Sequence, residues 1–167
     1  MSKVAVLVAE MYNEFELWYP FYRLIEAGYE PVLVGPAASP YASKAGLLAT
    51  AQVAGRDAKA EDFIGMVIPG GYAPDHMRRD PALVDLVKRT FAAGKPVAAI
   101  CHAGWMLASA EVVSGRRVTS FFAIKDDLIH AGAKWEDAEV VVDGNLITSR
   151  QPADLPAFMR EFLKALA

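Results

Sequence analysis

Short unbroken apolar runs alternate along this chain with longer stretches in which apolar residues recur at helical spacing. KVAVLVA (3–9) is continuous and rich in valine, which predicts a strand buried on both faces. From 14 to 27 the period changes, with Leu17, Phe21 and Leu24 on one stripe and Gly28 as a stop. Pro20 falls early in that helix or kinks it. Trp18, Tyr22 and Ile25 form a second apolar stripe, suited either to core filling or to a subunit interface. YEPVLVG (29–35) predicts a second strand, and the Ala-, Ser-, Pro- and Gly-rich segment 36–55 a small excursion of short strands. GMVIPGG (65–71) is a further buried strand, broken by Pro69, Gly70 and Gly71.

Asp80 and Pro81 begin a helix carrying Leu83, Val84, Val87 and Phe91, with Gly94 as its stop. KPVAAI (95–100) is the next strand, followed directly by a helix over 103–110. RRVTS (116–120) leads to a helix ending at Gly132, and EVVVDGNLITS (139–149) reads as a hairpin around Asp143-Gly144. The last segment, 152–167, is amphipathic, with Phe158, Phe162 and Leu166 four apart. Strands alternating with helices predict a single α/β domain over 1–167. Its form is a three-layer α/β/α sandwich on a mostly parallel sheet. Ligands of such sheets sit beyond the carboxyl ends of the strands, so Gly70-Gly71 and Cys101-His102 belong on one rim.

Composition narrows the function. The 167 residues are 54% hydrophobic and 22% charged with a net charge of −3, which argues against a disordered or fibrous chain. No basic block tracks phosphates, so nucleic acid is not an expected partner. The apolar stretch before Glu10 is only six residues, too short for a membrane span, and no small-residue cleavage site follows it to make a signal peptide. One cysteine excludes an internal disulfide framework and points to the cytosol. There is no phosphate loop or dinucleotide fingerprint, and no cofactor is expected.

That cysteine holds the candidate chemistry. A strand turning straight into a helix lifts the turning residue out of the sheet edge, toward unpaired amides at the helix start. A thiol there ionises more readily, and the thiolate is the nucleophile. A free cysteine can equally be a small buried hydrophobe, but the position of Cys101 and the adjacent His102 favour the nucleophile. Gly70 and Gly71 either make a tight turn or present backbone N–H groups to an oxyanion. His102 needs a bend to reach its neighbour's sulfur and a carboxylate to orient its ring. Asp75 is the candidate acid, with a solvated or capping role as the alternative. His76 and His130 are expected at the surface. A metal site from Asp75, His76, Cys101 and His102 lacks ligand spacing, so none is expected.

The chain resembles the PfpI-type intracellular protease family of the DJ-one/PfpI superfamily, which has a flavodoxin-like fold. The resemblance covers nearly the whole chain and rests on E-L-x-Y-P (16–20), VIPGGYAPD (67–75), KPVAAICH (95–102), the segment 124–150 and PADLPAFMREF (152–162). It implies Cys101 as nucleophile, His102 as partner, and Asp75 completing the site of a neighbouring subunit in a homodimer or hexamer. Gly70, Gly71 and the Ala103 amide would correspond to the oxyanion-binding backbone. The chain departs from the pattern in having Ala103 where the family has glycine. A gapless count also places Asn13 where the family's cysteine-contacting glutamate is expected, with Glu10 and Glu14 as nearby substitutes. On that placement a cysteine hydrolase acting on a peptide or small amide is favoured. Deglycase or glyoxalase chemistry on dicarbonyl adducts is the alternative, and a non-catalytic redox or chaperone-like stress protein the third reading. A glutamine amidohydrolase is set aside, because no histidine follows His130.

Overall fold

The Val-rich run after Lys3 becomes β1 (Lys3–Leu7), whose last four residues are fully buried, as a strand covered on both faces must be. The computed structural model describes residues 1–167. Asn13 caps α1 (Glu14–Glu26), and β2 (Glu30–Gly35) then lies parallel to β1, Val4 opposite Pro31. The predicted excursion is a hairpin, β3 (Pro40–Ala42) with β4 (Leu48–Thr50), followed by β5 (Val53–Ala54) at the sheet edge beside β2. Next come β6 (Gly65–Ile68), the short helix α2 (Ala73–Met77) and α3 (Pro81–Ala92), which starts where Asp80 accepts from the Ala82 amide. The strand β7 (Val97–Ile100) runs through one turn of 3-10 helix, Cys101–Ala103, into α4 (Gly104–Ser109).

The segment 116–120 holds the short β8 (Arg117–Val118), which lies outside the main sheet and pairs with β9 (Lys134–Trp135) across α5 (Lys125–His130). β10 (Val141–Asp143) and β11 (Leu146–Ser149) form the predicted hairpin, and α6 (Leu155–Leu166) closes the chain. The main sheet has the order β10-β11-β7-β6-β1-β2-β5, parallel except for the β10–β11 pair. Helices α1 and α6 cover one face and α3 and α4 the other, giving the three layers expected. A continuous core of 45 buried residues fills both interfaces. No helix is long and apolar enough to cross a membrane.

The two stripes of α1 separate clearly. Leu17 and Leu24 of the first stripe are buried, together with Glu16 and Pro20, and Phe21 is partly buried, whereas Tyr22 and Ile25 are 62% and 50% exposed and Trp18 is half-buried. The second stripe therefore faces outward in the single chain. The carboxyl ends of β6 and β7 lie side by side, Ile68 opposite Ala99, which brings the glycine turn against the cysteine elbow.

Candidate active site

Cys101 has φ +62°, the left-handed region that a residue with a Cβ enters only under strain. The strain comes from the abrupt turn between β7 and α4, and the Phe121 amide, donating to the Cys101 carbonyl, helps hold it. Bending also solves the problem of adjacent residues: His102 Nδ1 lies 3.3 Å from Cys101 Sγ. The His102 ring is packed by Phe121, tilted 30° at 5.1 Å, and by the edge of Trp105 at 5.1 Å. Trp105 is in turn anchored by its Nε1–H donating to Asp127 at 2.9 Å. Burial, with a smaller effect of the Lys44 charge, holds His102 below its ordinary pKa, so the ring is neutral at pH 7 and can accept a proton.

The glycine turn packs directly on the sulfur's residue. A Cβ on Gly70 would lie 2.7 Å from Glu16 Oε1 and 2.8 Å from Cys101 Cβ, so only glycine permits this approach. Gly71, at φ +75°, sits against the Asn13 amide and the Met11 carbonyl. The amides of Gly71 and His102 are turned toward the sulfur and pull the thiol pKa down. Gly71 is one of the residues expected to present its amide at this turn, and Ala103, the other amide expected there, belongs to a fully buried residue. Gly70 contributes mainly by closeness, and its carbonyl accepts from the Asn13 amide at 3.3 Å.

The group against the thiol is Glu16, and the expectation for Asn13 is corrected here. Asn13 Oδ1 accepts from the amides of Phe15 and Glu16 at 3.0 and 3.2 Å, so it caps α1 instead of reaching the sulfur. Capping at 13 puts residue 16 on the first helical turn, facing inward under Gly70. Glu10 and Glu14 do not substitute: they accept from the amides of Ala42 and Ala45. Glu16 is fully buried, and neither of its oxygens has a hydrogen bond of ordinary geometry. Burial pushes its pKa up to about 8, opposed chiefly by the nearby Cys101 thiol, so the carboxyl is protonated at neutral pH. The easier ionisation expected at the elbow is corrected here: the Cys101 thiol is pushed up to about 12, first by burial and second by the Glu16 negative charge, and the Gly71 and His102 amides only partly offset this. That second contribution vanishes while Glu16 is neutral, when its O–H can instead donate to a thiolate. Thiol and carboxyl thus behave as one coupled acid pair.

Asp75 lies on α2, where its carboxylate pairs with Arg79 and makes no hydrogen bond to His102 of the same chain. His76 packs its ring against Tyr72, and His130 is exposed at the end of α5. A cleft of about 350 Å³ opens over the thiol, lined by Met11, Asn13, Lys44, Gly71, Tyr72, Cys101, His102, Phe121, Gln151 and Pro152. Sequence reasoning missed Glu16, Lys44 and Phe121 as site residues. Glu16 stood inside the E-L-x-Y-P motif, which was its one available signal.

Residues 2–165 match the model of the DJ-1/PfpI family. A protein of Pyrococcus abyssi named a deglycase is 44% identical over 98% of this chain and 99% of its own length. A Bacillus subtilis protein, named provisionally as a cysteine protease, is 39% identical over 99% of this chain and 98% of its own. Among solved structures, a two-domain protein of Anabaena variabilis with DJ-1/ThiJ/PfpI-like and ferritin-like domains superposes with a TM-score of 0.97 at 40% identity. The superposition covers 99% of this chain and 48% of that one. With a buried glutamate under a cysteine elbow on a flavodoxin-like sheet, and matches running almost end to end, the chain belongs to the DJ-1/PfpI family.

Proposed function

We propose that the protein is a Cys101-dependent deglycase that acts on early adducts between small α-dicarbonyls and amines. The observation that carries this reading is Glu16, a buried, protonated carboxyl held against the nucleophile with no structural partner. Hydrolysis of an amide needs a thiolate, an oxyanion site and an acid for the leaving amine. It has no use for a second buried acid beside the sulfur. Moving a proton between adjacent carbons does.

In this reading the thiolate attacks C1, the carbon bearing the amine and a hydroxyl. The S–C1 bond forms, the C1–N bond breaks, and the amine leaves with a proton. The thiohemiacetal so formed keeps a ketone at C2. Glu16, having given its proton to the C2 oxygen, takes one from C1 to yield an enediol. Protonation of C2 and loss of the C1 hydroxyl proton then give a 2-hydroxy thioester. C1 is oxidised and C2 reduced by the same shift, so no external redox reagent enters. Water, activated by neutral His102, releases the 2-hydroxy acid and restores the thiol. The amides of Gly71 and His102 are the nearest donors for the C1 oxygen as it gains charge.

A second reading, a cysteine peptidase, draws on the 3.3 Å Sγ–Nδ1 contact and the Bacillus relative's name. Both are tested together by supplying methylglyoxal-treated N-acetyl-lysine and a set of fluorogenic peptides. Lactate release that is lost in Cys101→Ser and Glu16→Gln is the expected result. Peptide cleavage without lactate, insensitive to Glu16→Gln, would replace the deglycase with the peptidase. If neither substrate turned over while peroxide readily oxidised Cys101, the non-catalytic redox role would stand.

A further inference from the structure

The loop 42–47 lends Lys44 to the cleft and is clamped from one side by Glu10 and Tyr12 of the β1–α1 connection and by Glu14, the first residue of α1. Glu10 accepts from the Ala42 amide at 3.2 Å, the Tyr12 hydroxyl donates to the Leu47 carbonyl at 2.7 Å, and Glu14 accepts from the Ala45 amide at 2.7 Å. The Lys44 amide itself donates to the Tyr12 carbonyl at 3.0 Å. This clamp fixes the backbone that carries Lys44 into the lining of the cleft beside Cys101 and His102. Yet the Lys44 ammonium has no carboxylate within ion-pair distance. The two acids of the clamp, Glu10 and Glu14, are engaged with backbone amides, and Glu16 lies buried and neutral beneath the thiol. A fixed loop with an unpaired cation beside a nucleophile is the arrangement of an anchor whose counter-ion arrives with the substrate.

We propose that Lys44 is a specificity residue that binds a carboxylate on the substrate, so that the enzyme prefers small carboxylate-bearing carbonyl compounds to neutral ones. The cleft lining favours a carboxylate over a phosphate: it offers one ammonium and the Gln151 amide, and no guanidinium to meet a dianion. The inference rests on the deglycase reading only for the reaction; the recruitment of an anion to Cys101 is independent of it.

The test uses the lone cysteine. Iodoacetate and iodoacetamide differ by one charge at nearly equal size, and both label only Cys101, followed by mass spectrometry. Their rate ratio cancels any change in the thiolate fraction. Expected is a ratio that falls about tenfold in Lys44→Ala, is retained in Lys44→Arg, and collapses for the wild type in high salt. An equal ratio in wild type and Lys44→Ala overturns the proposal. In parallel, turnover is compared for methylglyoxal adducts of N-acetyl-lysine and its amide. A Lys44-dependent alkylation ratio with no turnover of either would leave the anchor standing and remove the deglycase. Turnover of both, with an unchanged alkylation ratio, would do the reverse.

Discussion

Glu16 is buried without a hydrogen bond of ordinary geometry, and that cost is visible in how stability should follow pH. Its folded-state pKa of about 8 lies above its ordinary 4.5, so the folded chain binds the proton more tightly than the unfolded chain. The stability gained is complete below the ordinary value and is lost as pH rises through about 8. Urea unfolding from mildly acidic to alkaline pH should therefore show the wild type weakening relative to Glu16→Gln. The difference should be on the order of a few kcal/mol, complete once the folded carboxyl has ionised. Parallel curves for the two proteins would show that Glu16 does not titrate within this range. In turnover the same variant should lose at least about a hundredfold in kcat, since an amide holds the shape but cannot move a proton. Apart from its place in E-L-x-Y-P, nothing in the local pattern distinguishes this buried acid from an ordinary solvated acid on a first helical turn, where negative charge is common. Only the cap at Asn13, which sets the helical phase, reveals that position 16 points inward. Cys101 was legible because a strand ending beside a predicted helix start is a pattern in the chain itself.

The two connections that meet at the thiol, β1–α1 and β6–α2, hold their residues by backbone geometry. Asn13 tests the first. Asn13→Ala removes a cap worth about 1 kcal/mol and should lower kcat as the first turn of α1 frays around Glu16. Asn13→Ser, which can also cap, should restore stability and most of the activity, measured by thermal unfolding and lactate release. If serine were as damaging as alanine in turnover yet stable, Asn13 would be touching the chemistry after all. Gly71→Ala tests the second connection. Its Cβ would meet the Asn13 nitrogen at 2.5 Å and the Met11 carbonyl oxygen at 2.7 Å, backbone atoms that cannot yield. With the positive φ added, about 2 kcal/mol or more of stability should be lost, together with the amide that faces the sulfur. At this scale the chain was readable where burial is two-sided: β1, β2, β6 and β7 are apolar runs that no exposed element tolerates. The short helix α2 escaped, because Tyr-Ala-Pro-Asp-His-Met has neither strand alternation nor enough turns to show a helical stripe. β8 was not assigned from sequence either. Only Arg117 and Val118 pair, and the partner is β9, itself two residues long.

For the whole molecule the open element of the site is the acid that orients His102. Within one chain the ring is positioned by Phe121 and Trp105, while Asp75 is committed to Arg79. The outward stripe of α1, with Phe15, Tyr22 and Ile25 exposed, leaves an apolar face that a second copy could cover. We therefore keep the proposal that Asp75 of one copy completes the site of another, and it makes a prediction no single-chain mechanism shares. Cys101→Ser should be inactive because the nucleophile is gone, and Asp75→Asn impaired because the imidazole loses its orienting charge. If the site is shared across a two-fold interface, each mixed dimer holds one intact site, built from the cysteine of one copy and the aspartate of the other. Random exchange in an equal mixture makes half the dimers mixed, so about a quarter of wild-type activity should return. Recovery should fall on dilution, as the copies separate. Were Asp75 to act within its own chain, mixing would add nothing beyond the residual activity of Asp75→Asn, diluted by half. Lactate release from the mixture, read against each variant alone, decides between the two.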